Sequence, residues 1–195
     1  MNSDVLIPRP ETEELVDLIL SESKNEKLNI LDIGTGTGCI PISLKYSLSN
    51  ATVTSIDVST GALETAKKNS CLNNVDILFL EKDILIADLS NLPQQDIIVS
   101  NPPYVLESDK KIMSQNVLEF DPHLALFVDD STPLLFYKRI TELAKSKLNI
   151  GGKLYFEIHE NFGSETENLL IENGFKNIKI VKDMQGKDRM VIGTL

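Results

Sequence analysis

Cysteine, basic residues and long apolar runs are all scarce in this chain, and each shortage excludes a class of protein. The two cysteines, Cys39 and Cys71, stand in neither CxxC nor metal-ligand spacing, which excludes a disulfide framework and a thiolate metal centre. Both fall in helical segments and are expected to be buried free thiols in a reducing compartment. No apolar run approaches the roughly 20 residues that span a bilayer, and no basic stretch followed by an apolar one opens the chain. A cytoplasmic location without membrane contact is therefore expected. Nineteen bases face 29 acids, a net charge of −10. That balance argues against unaided binding to a nucleic-acid backbone, which needs clustered Lys and Arg to displace counterions. Lys176, Lys179 and Lys182 alternate as on the wet face of a strand. Repeats, low-complexity tracts and boundary-like linkers are missing too, so residues 1–195 read as one globular domain.

What is present alternates between short apolar runs and helical periods. Strands are predicted at 28–33, 51–56, 75–80, 96–100, 153–158, 175–181 and 189–195. Helices are predicted at about 10–19, 39–48, 60–69, 133–148 and 164–173, the fourth stopped by Gly151-Gly152. Pro10 and the acids after it suit a helix start. Strand alternating with helix indicates an α/β fold, a doubly wound, mostly parallel seven-stranded sheet with helices on both faces. Asp183-Met184-Gln185-Gly186 reads as a hairpin that makes the last strand antiparallel. Residues 105–132 sustain no period, and a loop of that length is expected to serve as a substrate-side lid or wall.

Three strand ends carry chemistry. The first strand breaks into Gly34-Thr35-Gly36-Thr37-Gly38, glycine-rich but not in the G-x-G-x-x-G spacing of dinucleotide sites. The second ends in Asp57, placed to accept ribose hydroxyls, and after the third come Asp83 and Ile84, placed to hold and cover an adenine. No Lys or Ser/Thr stands where a phosphate-binding loop needs it, so a phosphate-poor nucleoside is indicated. S-adenosylmethionine fits that description, and no metal is expected. The fourth strand delivers Asn101-Pro102-Pro103-Tyr104. Its prolines remove two backbone donors and Asn101 adds a carboxamide, which gives a rigid acceptor loop with a ring face, suited to a planar N–H2 group. Alone, it would be only a proline-rich turn. For Arg9, beside two prolines, a place facing a site and an ordinary surface position both stand. His159, a lone His at a strand end, reads as packing or surface.

These residues resemble the HemK-type protein-(glutamine-N5) methyltransferases, class I S-adenosylmethionine-dependent enzymes that modify peptide chain release factors. The resemblance rests on Val5-Leu6-Ile7-Pro8-Arg9-Pro10-Glu11-Thr12-Glu13, on 32–38, on Ile56-Asp57-Val58-Ser59 and on Ile98-Val99-Ser100-Asn101-Pro102-Pro103-Tyr104. Asp121-Pro122-His123-Leu124-Ala125-Leu126 and Gly186-Lys187-Asp188-Arg189 complete it. It implies that Gly34, Thr35, Gly36, Thr37, Gly38, Asp57, Asp83, Ile84 and Asn101 bind S-adenosylmethionine, with S-adenosylhomocysteine as product. It also implies that Asn101, Pro102, Pro103 and Tyr104 bind the glutamine amide. The family carries a helical docking domain ahead of the Ile-Pro-Arg-Pro stretch, so this chain is expected to be the catalytic domain alone. Asp129-Asp130 and His159 depart from the family's usual glycines and are expected to alter loop shape.

The chemistry expected is methyl transfer to a side-chain amide nitrogen. That nitrogen is a poor nucleophile, so the site must hold it in line: Asn101 Oδ1 and the Pro102 carbonyl accept its two hydrogens, and Tyr104 packs on the amide plane. Two rivals are an amino-group methylase of adenine or guanine in nucleic acid, which uses the same four letters, and a nucleoside-binding module without turnover.

Overall fold

The structure, a computed structural model, describes residues 5–23, 27–111, 113 and 122–195. Asp121 and most of the stretch between 111 and 122 lie outside the described residues.

Helix α1 (Pro10–Glu22) begins at a proline whose missing N–H costs nothing there, with Glu11 and Glu13 in its first turn. Then follow β1 (Asn29–Ile33), α2 (Cys39–Ser47), β2 (Thr52–Asp57), α3 (Thr60–Leu72), β3 (Leu78–Glu81) and β4 (Gln95–Ser100). Short elements β5 (Val105–Leu106), a 3-10 turn (Glu107–Lys111), α4 (His123–Leu126) and β6 (Phe127–Val128) come next. The chain closes with α5 (Leu135–Lys147), β7 (Leu148–Glu157), α6 (Gly163–Glu172), β8 (Lys176–Lys182) and β9 (Asp188–Thr194).

Seven strands form one sheet in the order β3-β2-β1-β4-β7-β9-β8. All pairs are parallel except those that β9 makes with β7 and β8, so the hairpin and the antiparallel last strand are as predicted. Strand side chains alternate between the two faces. Leu31, Ile98, Leu154 and Phe156 pack with Tyr137 and Ile140 of α5, while Ile30, Ile97, Val99 and Tyr155 pack with Leu15 and Ile19 of α1 and Leu44 of α2. Both faces are covered, which is why β4 carries the continuous apolar run Ile97-Ile98-Val99 and β7 the run Leu154-Tyr155-Phe156.

Two boundaries differ from the predicted ones. The glycine pair at 151–152 does not stop α5. That helix ends at Lys147 and β7 begins at once, Leu148 pairing with Gln95 ahead of a register shift, where Gly151 takes φ +82°. Strand β3 is shorter than predicted, because as an edge it pairs only with β2, from Thr54↔Leu78 to Asp57↔Glu81. Of the two cysteines Cys39 is partly buried, but Cys71 is exposed, a correction to the buried pair: it lies on the outer face of α3. The 105–132 stretch contains ordered pieces, with β5 and β6 pairing in parallel. They are too short to carry a period.

The chain runs outward from β1 to β3 and then returns to place β4 on the other side of β1. Loops leaving β1 and β4 therefore diverge at their carboxyl ends, and the crevice between them is where an open α/β sheet takes its ligand.

Candidate active site

Two cavities meet in that crevice. The larger, about 250 Å³, is walled by Gly34–Thr37, Asp57, Asp83, Ile84 and Asn101–Pro103. Its floor is shaped by backbone donors. The N–H groups of Gly34 and Thr35 both reach the Ile56 carbonyl, at 2.9 and 3.2 Å. Asp57 takes the Gly36 N–H on Oδ2 at 2.9 Å and the Ser59 N–H on Oδ1 at 2.8 Å, so the carboxylate ties the end of β2 to the glycine loop. Gly36 sits at φ +52°, and a Cβ built there meets nothing within 4 Å; the space over the loop is open to a ligand. Gly38 does different work and does not line the cavity. A Cβ there would stand 3.0 Å from both Ala66 Cβ and Ile42 Cδ1, so its absence lets α2 and α3 approach.

At the far end of this cavity, Asp83 Oδ1 accepts the Leu85 N–H at 2.9 Å and Ile84 is 9% exposed. Arg139 of α5 donates to the carbonyls of Ile84 at 3.1 Å and Ala87 at 2.9 Å, which fastens the turn against the helix that also supplies Phe136 and Ile140 to the wall. Beneath the glycine loop lies Asp32, fully buried. Ser55 Oγ donates to its Oδ2 at 2.5 Å, and its Oδ1 has no partner among the described residues. Burial raises this carboxyl to about 7, against the lowering effect of Ser55 and Thr35.

The second cavity, about 220 Å³, lies beyond the β4 end and is lined by Arg9, Glu11, Tyr104, Val105, Met113 and Arg189 among others. Asn101 and Pro102 belong to both cavities and form the wall between them, whereas Pro103 faces only the first and Tyr104 only the second. Ser100 Oγ donates to the Ile33 carbonyl at 2.7 Å, which locks the β4 end to the β1 end just before this wall.

Behind the wall is a network with Glu157 at its centre. This residue closes β7 and is 1% exposed. Its Oε2 accepts the Thr12 hydroxyl at 2.7 Å, its Oε1 accepts the Tyr104 phenol at 3.1 Å, and Thr12 Oγ1 in turn accepts Asn101 Nδ2 at 3.2 Å. Burial raises the Glu157 carboxyl, opposed by the bonds from Thr12 and Tyr104 and by the Arg189 charge. Arg189 is held by Asp183 Oδ2 at 3.1 Å. His159 accepts the Asn161 N–H on Nδ1 at 3.1 Å, stands 3.8 Å from Asp109, and meets Tyr104 edge-on with ring centroids 6.1 Å apart; it packs, as read from sequence. Asp130 has a definite loop-shaping role: its Oδ1 accepts both the N–H and the hydroxyl of Ser108. Arg9 lines both cavities.

Sequence reasoning gave no role to Thr12, Glu157 or Arg189. A signal existed for the first two. Thr12 falls on the buried stripe of α1 with Leu15, Val16 and Ile19, and Glu157 is an acid at the carboxyl end of a buried strand, as Asp57 is.

Residues 12–123 match the model of the methyltransferase small domain. The release factor glutamine methyltransferase of Flavobacterium psychrophilum is 55% identical over 98% of this chain and 68% of its own length. This chain belongs to the release factor glutamine methyltransferase family. Another member of that family, from Bacteroides thetaiotaomicron, is 48% identical over 96% of this chain and 67% of its own. The chain thus spans about two thirds of the length of these relatives. Solved structures agree on the fold. The ribosomal protein L11 methylase of Lactobacillus delbrueckii superposes with a TM-score of 0.68 at 21% identity, covering 98% of this chain and 81% of its own. The catalytic domain of human Mettl16 does so with 0.72 at 19%, covering 98% and 71%.

Proposed function

We propose that this methyltransferase transfers the methyl group of S-adenosylmethionine to the side-chain amide nitrogen of a glutamine in a peptide chain release factor. One observation carries the reading: Asn101 and Pro102, with Leu6, Arg9 and Ala125, line both cavities. A nucleoside in the larger and an amide in the smaller would face each other across these residues. The cofactor supplies an electrophilic methyl on a sulfonium; everything else falls to the chain. Asp57 keeps lone pairs for ribose hydroxyls after accepting two backbone N–H groups, and Asp83 and Ile84 hold and cover the base. The loop of Gly34 to Thr37 lets the cofactor approach the backbone. Asn101 turns Nδ2 inward, which leaves Oδ1 and the Pro102 carbonyl to accept the two amide hydrogens and aim the nitrogen's lone pair; on taking the methyl the nitrogen sheds one of these hydrogens as a proton to solvent. Tyr104 closes the amide plane with its ring, its phenol held behind by Glu157.

The names of the relatives and the acidic chain support a protein substrate over the nucleic-acid alternative. Mass spectrometry of a release factor incubated with this chain and S-adenosylmethionine tests the reading. A single-methyl mass gain on one glutamine, absent without enzyme, is expected. Methyl label entering an oligonucleotide instead, or no transfer with cofactor bound, would overturn it.

A further inference from the structure

The hydrogen bonds behind the wall have a direction, and that direction decides what the wall can recognise. Glu157 closes a buried strand and offers its two oxygens to two hydroxyls, Thr12 Oγ1 at 2.7 Å and the Tyr104 phenol at 3.1 Å. A threonine hydroxyl has one proton, and a carboxylate can only accept. With its proton given to Glu157, Thr12 can only accept from Asn101, and the group that Asn101 turns to it, 3.2 Å away, is Nδ2. The carboxamide cannot flip without setting two acceptors against each other. Its Oδ1 is therefore turned out of the network.

We propose that Thr12 and Glu157 are positioning residues that fix the polarity of the acceptor site, so that it takes a donor group, a carboxamide N–H2, and rejects the carboxylate of the same shape. This rests on the amide-methyltransferase reading above. The residues concerned come from the first turn of α1, the position after β4 and the end of β7, so the polarity is set by the fold. A neutral Gln at 157 could donate to Thr12, reverse that hydroxyl and free Asn101 to flip.

The test compares wild type with Thr12→Val, Thr12→Ser and Glu157→Gln. Methyl transfer to a release factor gives kcat and KM, calorimetry gives S-adenosylmethionine affinity, and NMR follows the Asn101 side-chain amide, assigned by its loss in Asn101→Ala. Thr12→Val should lower kcat by about 30-fold or more, as loss of a preorganising hydrogen bond does. Thr12 also lines the larger cavity, so S-adenosylmethionine affinity is followed beside kcat and should fall by less than kcat does, because the lost hydroxyl is bonded to Glu157 and Asn101. Thr12→Ser, which restores the hydroxyl, should recover most of the loss. The Asn101 Nδ2 proton should keep its hydrogen-bonded shift in wild type and Thr12→Ser and lose it in Thr12→Val. Glu157→Gln should lower kcat and broaden or split that signal. Undiminished kcat in Thr12→Val, an equal loss in Thr12→Ser, or an Nδ2 shift indifferent to all three changes would overturn the proposal. A wild-type chain that binds cofactor but methylates no release factor would count against the assigned function instead; the relay would then stand or fall on the Asn101 proton.

Discussion

The two cavities share a wall but are built differently. The larger, the proposed cofactor side, is shaped by backbone groups and by contacts between consecutive units, such as Gly36 with Asp57 at the ends of β1 and β2. The smaller, the proposed acceptor side, is shaped by side chains brought together from afar: Thr12 meets Asn101 and Glu157, and Arg189 returns from the last strand. A site made of main chain tolerates many side-chain changes and suits an invariant ligand. A site made of side chains depends on each of its members.

Four changes would break or sharpen this contrast. The largest effect concerns Asp32, buried under the glycine loop with a carboxyl raised to about 7. A folded value above the unfolded one contributes stability below pH ~4 that is lost as pH rises through ~7, and the shift corresponds to about 4 kcal/mol. Urea unfolding of Asp32→Asn should thus show the variant gaining on wild type as pH goes from 4 to 8. A constant difference would mean that Asp32 does not titrate there. Next, Asn101→Ala should cut methyl transfer by roughly 100-fold or more while S-adenosylmethionine still binds, since it removes an acceptor aimed at the reacting group. Substantial residual turnover would deny Asn101 that role. Asp57→Ala removes the carboxylate that holds Gly36 and Ser59, and calorimetry should find S-adenosylmethionine binding weaker by about 30-fold, ~2 kcal/mol. If the loop is as self-supporting as main-chain construction implies, kcat at saturating cofactor should hardly change. The smallest effect is expected from Arg139→Ala. It frees the turn over Ile84 and Ala87, and should raise the KM for S-adenosylmethionine about fivefold, ~1 kcal/mol, without altering kcat.

The same contrast explains what could be read from the chain. The strand–glycine–helix opening, the acid after β2 and the order of elements all follow from short-range pattern, and the sheet forms as they indicate. Asn101 to Tyr104 was legible because its rigidity is local. The Thr12–Glu157–Asn101 relay was not, because a hydrogen bond between residues 145 positions apart leaves no trace in spacing. Only the oddity of a threonine on an apolar helix stripe and of an acid closing a buried strand marks it. The β5–β6 pair escaped for the opposite reason: two-residue strands are too short to show a period.

Strand β9 has one more consequence, in the order in which a ribosome delivers the chain. Every residue that lines the larger cavity, the proposed cofactor site, precedes position 141, so those walls can assemble while β9 is still unmade. Until Asp188–Thr194 arrives to slot between β7 and β8, β7 is an open edge, a template for pairing with other chains. The acceptor cavity, meanwhile, lacks Arg189. A nascent chain paused at the β8–β9 hairpin would have the cofactor half of its site in place, an unfinished acceptor half, and its greatest tendency to aggregate.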